Sequence, residues 1–174
     1  MPNKSKAKGN AFERELVEIL SRVFELNFQR VPNSGSFTGG KNAFRYDKMT
    51  DAQKLLHDGD IIVPEELSHI SIECKNYKEF AFHSLFTGKG AIIDEWIKQS
   101  DHTNKPNWLL FFKITRKNTY VCHPIGYNLK ISNNTMIYQG KYYIELAEPF
   151  LIANKDNLLK MKTYDDIKTD LIEL

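Results

Sequence analysis

Two short apolar runs, each carrying one acidic residue, place the tightest constraint on how this chain folds. Residues 59–63 contain Asp60 within a run that ends in three aliphatic side chains, and residues 70–75 contain Glu73 within a second strand-like run. Residues 64–68 include a proline and are few enough to turn the chain back. The sequence therefore predicts two adjacent strands, with Asp60 at the end of the first and close to Glu73 in the second.

The second run also places a lysine beside its acid. Residues alternate across a strand, so Glu73 and Lys75 share one face while Cys74 lies on the opposite, apolar face. Hard cations such as Mg²⁺ prefer oxygen ligands and keep several waters, and Asp60, Glu73 and a backbone carbonyl supply such oxygens. Lys75 would position the attacking water and offset phosphate charge, which predicts metal-assisted phosphodiester hydrolysis. The alternative is a solvated strand face, because acid-x-Lys is a common pattern.

A third acid lies on the first predicted helix, over residues 11–26. Taking about 100° per residue, Glu13 lies about 60° from the centre of the apolar stripe, whereas Glu15 lies about 100° away. Glu13 is therefore predicted to face inward, as a third acid of the site or a water-orienting group. The alternative is an N-terminal glutamate favoured by the helix dipole. The apolar stripe consists of Phe12, Leu16, Ile19, Leu20, Val23 and Phe24.

Four motifs in one order resemble the PD-(D/E)XK nuclease superfamily. Residues 9–15 read Gly-x-x-x-Glu-Arg-Glu, residues 30–35 read Arg-x-Pro-x-Ser-Gly, and Asp60 and then Glu-Cys-Lys at residues 73–75 follow. Within the superfamily the chain is most similar to archaeal-type Holliday junction resolvases and related phage-encoded endonucleases. The long loop between residues 34 and 60 departs from the compact archaeal pattern.

A later segment favours the phage branch of this resemblance. A helix carrying Trp96 and Gln99 precedes a Lys-x-Pro turn and an apolar strand within residues 105–112, as in the phage relatives. Gln99 follows Trp96 by three residues, so it can lie at the edge of the buried side of the helix and face the site. We assign it an accessory role in holding phosphate or water, with an ordinary surface glutamine as the alternative.

The resemblance implies a fold, a chemistry and a set of residues. The fold is an α/β restriction-endonuclease-like core, a mixed central β-sheet flanked by helices. The chemistry is Mg²⁺-dependent cleavage of DNA, with Mn²⁺ as a substitute, leaving 5′-phosphate and 3′-hydroxyl ends. The catalytic residues are Glu13, Asp60, Glu73, Lys75 and Gln99, and the metal ligands are Asp60, Glu73, the Cys74 carbonyl and Glu13.

Positive charge concentrates towards the N-terminal part of the chain. Residues 1–50 carry nine Lys or Arg against five Asp or Glu, whereas residues 141–174 carry five against seven, within a net charge of +2. Such a distribution is typical of a surface that follows a phosphate backbone. The candidates include a donor-rich loop near the metal, a basic N-terminal arm and an aromatic and basic loop at 36–58, whose alternative role is to cover the sheet. The predicted DNA-binding residues are Arg30, Ser34, Gly35, Arg45, Lys4, Lys6 and Lys8.

Length and composition predict one globular unit. The proposed division is a basic arm at 1–8, a nuclease domain at 9–146 and a helical extension of the same domain at 147–174. No apolar run approaches about 18 residues, so no membrane span is expected, and the protein is expected in the cytoplasm, that of the host if it is phage-encoded. Two cysteines are too few for a disulfide framework, and no nucleotide-binding glycine motif occurs.

The remaining pattern predicts the sheet and its cover. A helix is expected at 91–102, a central buried strand at 108–114 and another strand at 119–122. A hairpin is expected from strands at 135–138 and 142–145, followed by a helix from about residue 148. The predicted order is helix, three strands, helix, strand and then strand additions.

Three functions fit these observations. The first is a structure-selective resolvase for branched four-way junctions, active in recombination and repair, which would act as a homodimer because two opposed strands must be cut together. The second is a less selective endonuclease of the same fold, acting on flaps, nicks or single strands. The third is a non-catalytic DNA-binding protein on a nuclease scaffold, against which the presence of all the expected acids and the lysine argues.

Overall fold

The computed structural model describes residues 4–32, 48–50, 58–87 and 91–161, with the side chains of residues 4–6 and 91 outside that description. Within these residues the elements follow the predicted order, with one additional short α-helix after the third strand and 3-10 helices at Glu65–Leu67 and Ile125–Tyr127. The helices are α1 (Lys4–Phe24), α2 (His83–Phe86), α3 (Ala91–Asp101) and α4 (Ala147–Leu159), and the strands are β1 (Gln29–Arg30), β2 (Ile61–Ile62), β3 (Ile70–Tyr77), β4 (Asn107–Ile114), β5 (Thr119–Pro124), β6 (Met136–Tyr138) and β7 (Tyr142–Leu146).

Five strands form the central sheet, in the order β3-β4-β5-β7-β6. Strands β3 and β4 are parallel and the other neighbours are antiparallel, so the sheet is mixed, as predicted. Strand β3 occupies one edge of this sheet. Its outer edge is therefore available to the chain segment that carries Asp60.

Helices cover both faces of the sheet, and β4 shows why. Leu109 and Phe111 face the core beneath α1 and α4, whereas Leu110 and Phe112 face the core beneath α3. All four side chains are at most 2% exposed, which confirms the predicted central buried strand. A strand that is covered on both faces reads as a continuous apolar run rather than an alternating one.

The first helix packs its predicted stripe into the sheet. Phe12, Leu16 and Leu20 are buried, and Glu13 is also buried, which agrees with its predicted inward orientation. Helix α1 begins at Lys4 rather than at residue 11. Its first turns carry lysines and small residues without an apolar stripe, so hydrophobic periodicity does not reveal them.

Two details of the predicted strand pair are wrong. Asp60 lies immediately before β2 instead of at its end, and β2 pairs with β1 in a separate two-stranded sheet instead of extending along β3. Strand β2 is only two residues long, and the backbone bond from this segment to β3 is made by Asp60, just before the strand begins. Strand β3 also continues two residues beyond Lys75, to Tyr77, because β4 pairs with its whole length.

The C-terminal helix α4 packs beside α1. Arg22 donates to Glu148 across 2.7 Å, and the buried Phe150 and Leu151 belong to the same core as α1. Residues 162–174 lie outside the described residues. The proposed division of the chain at residues 8 and 146 stays a prediction. Among the described residues, no helix is long and apolar enough to cross a membrane.

Candidate active site

Three hydrogen bonds hold Asp60, two to the outer edge of β3 and one to Val31, the residue that follows β1. The Asp60 N–H donates to the Ile72 carbonyl over 2.8 Å, and the Asp60 carbonyl accepts from the N–H of Val31 over 3.0 Å. The Asp60 carboxylate accepts from the N–H of Cys74 over 2.9 Å. Asp60 is therefore held against β3 by its backbone and its side chain together.

Gly59 makes this close approach possible. Its φ is +90°, a conformation that residues with a side chain rarely adopt. A Cβ at this position would lie 2.6 Å from the Ile72 carbonyl oxygen, which is the atom that accepts the Asp60 N–H. The Asp-Gly-Asp sequence at residues 58–60 is a turn signal, and it is the sequence feature that points to this role of Gly59.

Two side chains donate hydrogen bonds to the same carboxylate oxygen of Glu73. Lys75 Nζ and Gln99 Nε2 each lie 3.2 Å from Glu73 Oε2, which leaves Oε1 free of both. The predicted position of Gln99, at the edge of the buried side of α3 and facing Glu73, is the position that the structure gives it. The predicted convergence of Asp60, Glu73 and Lys75 is also present.

Glu73 titrates far from the usual range of a glutamate. Burial of its side chain, aided by the negative charge of Asp60 and opposed by Lys75, raises the pKa of Glu73 to about 7. A raised pKa means that the two carboxylates repel each other in a poorly solvated place. A cation between them would remove that repulsion.

The backbone of Cys74 points to the same edge as Asp60. Within a strand, the N–H and C=O of one residue lie on the same side, and alternate residues use the same edge. Because the Cys74 N–H bonds Asp60, the Cys74 carbonyl is directed towards that edge as well. Burial raises the pKa of the Cys74 thiol well above its usual range, and the charges of Asp60, Glu73 and Glu13 raise it further. Three acids thus surround this position.

Glu13 reaches the site from α1 and contacts a basic residue there. Arg30 Nε donates to Glu13 Oε2, and both side chains are largely buried. Arg30 was predicted to contact DNA, and in this structure its partner is Glu13. The pair spans 17 residues and two elements, so the sequence pattern did not reveal it.

Several predicted DNA contacts fall outside the described residues. Ser34, Gly35 and Arg45 lie there, with most of the loop at 36–58. Lys8 is exposed in the second turn of α1, and its carbonyl accepts from Asn76 of β3. Of the other two predicted lysines, Lys4 and Lys6, only the helical backbone is described.

Comparison with protein-family models gives one match that spans most of the chain. Residues 4–165 match the family described as "Phage putative PDDEXK endonuclease". The chain belongs to this family. Comparison with curated proteins gives no match, and neither does comparison with solved structures. The predicted membership of the PD-(D/E)XK superfamily and the preference for its phage branch are therefore confirmed, whereas the match does not extend to archaeal-type junction resolvases.

Membership makes the protein a DNA endonuclease of a superfamily whose members usually use divalent metals. The donors at the edge of β3 suit such an ion, because Asp60, Glu73 and the Cys74 carbonyl present oxygen atoms. Within the described ranges, no group of three or more His, Cys, Asp or Glu side chains is arranged to hold a metal. Asp60, Glu73 and the Cys74 carbonyl amount to two carboxylates and one carbonyl, a donor set that would leave room for the waters that a hard cation retains.

The raised pKa of Glu73 predicts how stability and metal binding depend on pH. In the unfolded chain the pKa of this group is 4.5 and in the folded chain about 7, so its stabilising contribution without metal is complete below about pH 4.5 and is lost as the pH rises through about 7. A divalent ion binds the ionised form and reverses this loss. We expect the increase in melting temperature on adding Mg²⁺ or Mn²⁺ to grow from pH 5.5 to pH 8, measured by differential scanning fluorimetry.

A flat response would contradict this assignment of Glu73. The matched control is Glu66→Gln, which removes an exposed carboxylate in the turn before β3 and should leave the pH dependence unchanged. Glu73→Gln should abolish most of the metal-induced shift at every pH.

Proposed function

We propose that this protein is a Mg²⁺-dependent DNA endonuclease whose active site is the outer edge of β3. The observation that carries the proposal is the convergence of Asp60 and Glu73 in a poorly solvated place, with the pKa of Glu73 raised to about 7 and Lys75 bonded to it. Membership of the phage PDDEXK endonuclease family supports it independently. In this proposal, Asp60, Glu73 and the Cys74 carbonyl hold the metal, and Mn²⁺ substitutes for Mg²⁺.

A metal held by these residues would stabilise charge at the phosphate and lower the pKa of its bound water. The chain's own residues supply the geometry. Lys75 places its ammonium beside Glu73 and is positioned to orient the attacking water and to neutralise charge that develops on the phosphate. Gln99 donates to the same oxygen, Glu73 Oε2, which restricts rotation of the carboxylate. In-line attack would leave a 5′-phosphate and a 3′-hydroxyl.

Glu13 completes the acidic cluster from the helix side in this proposal, as a third acid or as the group that orients water. Its partner Arg30 is positioned where the chain leaves β1 towards Ser34 and Gly35. We assign these three residues, with Arg45 and the lysines at 4, 6 and 8, to contacts with the DNA backbone. Such contacts make binding fall with salt concentration, because each neutralised phosphate releases counterions.

Removing Gln99 tests its positioning role. We expect Gln99→Ala to lower the rate of cleavage about tenfold at subsaturating metal, because Glu73 loses one of its two donors, and supporting contacts of this kind cost about 10- to 100-fold. The affinity for DNA should not change. Steady-state kinetics over a Mg²⁺ titration measure the rate of cleavage, and fluorescence anisotropy in EDTA measures the affinity for DNA. The matched control is Glu95→Ala, an exposed residue one turn earlier on α3. Equal rates for natural protein and Gln99→Ala would reduce Gln99 to a surface residue.

The finer substrate we propose is a branched four-way junction, cut by a homodimer in the host cytoplasm during recombination or repair. The support is the resemblance of the segments at 9–15 and 30–35 to junction resolvases. A homodimer follows from that substrate, since a two-fold axis places two identical sites on opposed strands. The second candidate, a less selective endonuclease, is favoured by the family match, which names a phage endonuclease without naming a branched substrate.

A panel of end-labelled DNAs separates these substrates. The panel contains a four-way junction, a flap, a nicked duplex, an intact duplex and a single strand, each incubated with Mg²⁺ or with EDTA. Paired nicking of the junction, lost in EDTA and in Glu73→Ala, supports the resolvase. Equal cutting of the other substrates supports the less selective enzyme. Absence of metal-dependent cutting from every substrate would contradict the proposed function, and Glu66→Ala serves as the matched control variant.

A further inference from the structure

The residue two before Asp60 is held by the turn that follows α3. Asp58 Oδ2 accepts two hydrogen bonds of 2.9 Å, from the hydroxyl of Thr103 and from the backbone N–H of Asn104. The Thr103 hydroxyl also accepts from the N–H of Lys105 over 3.1 Å. This carboxylate therefore caps a turn 45 residues away in the chain.

A buried lysine extends the same contact to β3. Lys105 is 7% exposed, and its Nζ donates to the Ile70 carbonyl over 3.1 Å. The charge of Asp58 favours the protonated form of this lysine and opposes the effect of burial, which lowers its pKa. Asp58 thus lies in a network that joins the turn after α3 to the first residue of β3.

Because only one residue separates Asp58 from Asp60, the position of Asp58 limits where Asp60 can lie. The single residue between them is Gly59, which lies against the β3 backbone at a φ of +90°. Asp60 then bonds β3 at both the Ile72 carbonyl and the Cys74 N–H. With one end of the segment held by Thr103 and the other by β3, little freedom remains for the Asp60 carboxylate.

We propose that the Asp58–Thr103 contact is a latch that positions the catalytic carboxylate Asp60, so that Thr103 and Asp58 act as positioning residues of the nuclease site. The inference rests on the proposed function. In this proposal the end of α3 supports both carboxylates. Gln99 on the helix donates to Glu73, and Thr103 in the following turn donates to Asp58, two residues before Asp60. Both carboxylates of the site are therefore supported from the same end of one helix.

The latch predicts a change in local dynamics that a general loss of stability would not produce. In Thr103→Val the side chain keeps its volume and loses the hydroxyl, so Asp58 retains one donor of two. We expect faster amide hydrogen exchange at Asp60 and Cys74, whose N–H groups make the bonds between this segment and β3. Amides of the buried strand β4, such as that of Phe111, should exchange as in the natural protein.

The same variant should weaken the metal site. Supporting residues of metal ligands contribute about 10- to 100-fold to affinity or activity. We expect the Mn²⁺ concentration for half-saturation, measured by electron paramagnetic resonance of free Mn²⁺, to rise by at least about tenfold. The Kd for DNA in EDTA should not change. Thr103→Ser keeps the hydroxyl and should restore both the exchange rates and the Mn²⁺ affinity.

Thr87→Val is the matched control, because its hydroxyl bonds the Ser84 carbonyl in an exposed turn outside the network. Unchanged exchange at Asp60 and Cys74 in Thr103→Val would overturn the latch, and so would an unchanged affinity for Mn²⁺. In either case, cleavage of DNA by the natural protein would leave the proposed function intact. A natural protein that neither binds Mn²⁺ nor cleaves DNA would overturn the proposed function and the latch's catalytic role with it, even with faster exchange in the variant.

Discussion

Asp60→Asn should reduce cleavage at least about 10³-fold while leaving DNA binding intact or stronger. The amide keeps the volume of the side chain, and its oxygen can still accept from the Cys74 N–H. The substitution removes one of the two carboxylates that we assign to the metal. Stabilisation of transition-state charge by such a metal lowers the barrier to hydrolysis by several kcal/mol. DNA binding is retained because a negative charge facing the phosphate is lost. Single-turnover cleavage and fluorescence anisotropy in EDTA measure the two effects.

The same substitution should also change Glu73. The charge of Asp60 is one cause of its raised pKa, so Asp60→Asn should move the pKa of Glu73 down towards its usual range. Carbon-13 NMR of the glutamate carboxyl measures this shift. The matched control is Asp156→Asn, which removes one exposed negative charge from α4. Cleavage by Asp60→Asn at the rate of this control would contradict the assignment of Asp60.

Gly59→Ala should lower the free energy of unfolding by about 2–5 kcal/mol and impair cleavage in the protein that still folds. The added methyl group lowers the stability of the folded protein for two reasons. A positive φ costs a residue with a side chain about 1–2 kcal/mol, and forcing a group into packed space costs about 1–3 kcal/mol more. The contact would be with the Ile72 carbonyl oxygen at 2.6 Å, so the segment must move away from β3. Urea denaturation measures the loss of stability.

Gly140→Ala separates the two costs. Gly140 also has a positive φ, of +64°, but within the described part of the chain no heavy atom beyond its two sequence neighbours lies within 4 Å of the position of an added Cβ. This variant should lose only about 1–2 kcal/mol and retain cleavage, because it meets the conformational cost alone. Equal effects of the two substitutions on stability and cleavage would show that the close approach of Gly59 to β3 is not required.

Hydrophobic periodicity revealed the elements with a long apolar pattern and missed those without one. The stripe of α1 and the continuous run of β4 are both deeply buried, and both were predicted. The first turns of α1 carry no such stripe, and α2 is a single short helix of four residues. The position of Asp60 relative to β2 was also missed, because two residues are too few for an alternating pattern.

The residues of the candidate site were found by type and order, whereas their contacts depend on the fold. Glu73 and Lys75 share a strand, so their proximity follows from alternation. The bond from Gln99 to Glu73 joins positions 26 residues apart, and that between Arg30 and Glu13 joins positions 17 apart. Neither the raised pKa of Glu73 nor the hold of Thr103 on Asp58 has a local sequence signal, because each requires elements that meet only in the folded chain.

The charge balance of the site would favour a bound cation. Three acids, Asp60, Glu73 and Glu13, act on the position of Cys74, whereas Lys75 is the opposing cation among the causes that shift its pKa. Glu13 is paired with Arg30 on the helix side. The excess negative charge therefore lies at the outer edge of β3, between Asp60 and Glu73, where burial makes it costly.

The most direct test of the central claim is a crystal structure of the protein with Mn²⁺, with anomalous diffraction data collected above and below the manganese absorption edge. We expect an anomalous peak within coordination distance of the Asp60 and Glu73 carboxylates and of the Cys74 carbonyl oxygen, and no such peak in crystals of Asp60→Asn grown in the same conditions. A manganese peak that touches neither carboxylate, or one that persists unchanged in the variant, would contradict the account.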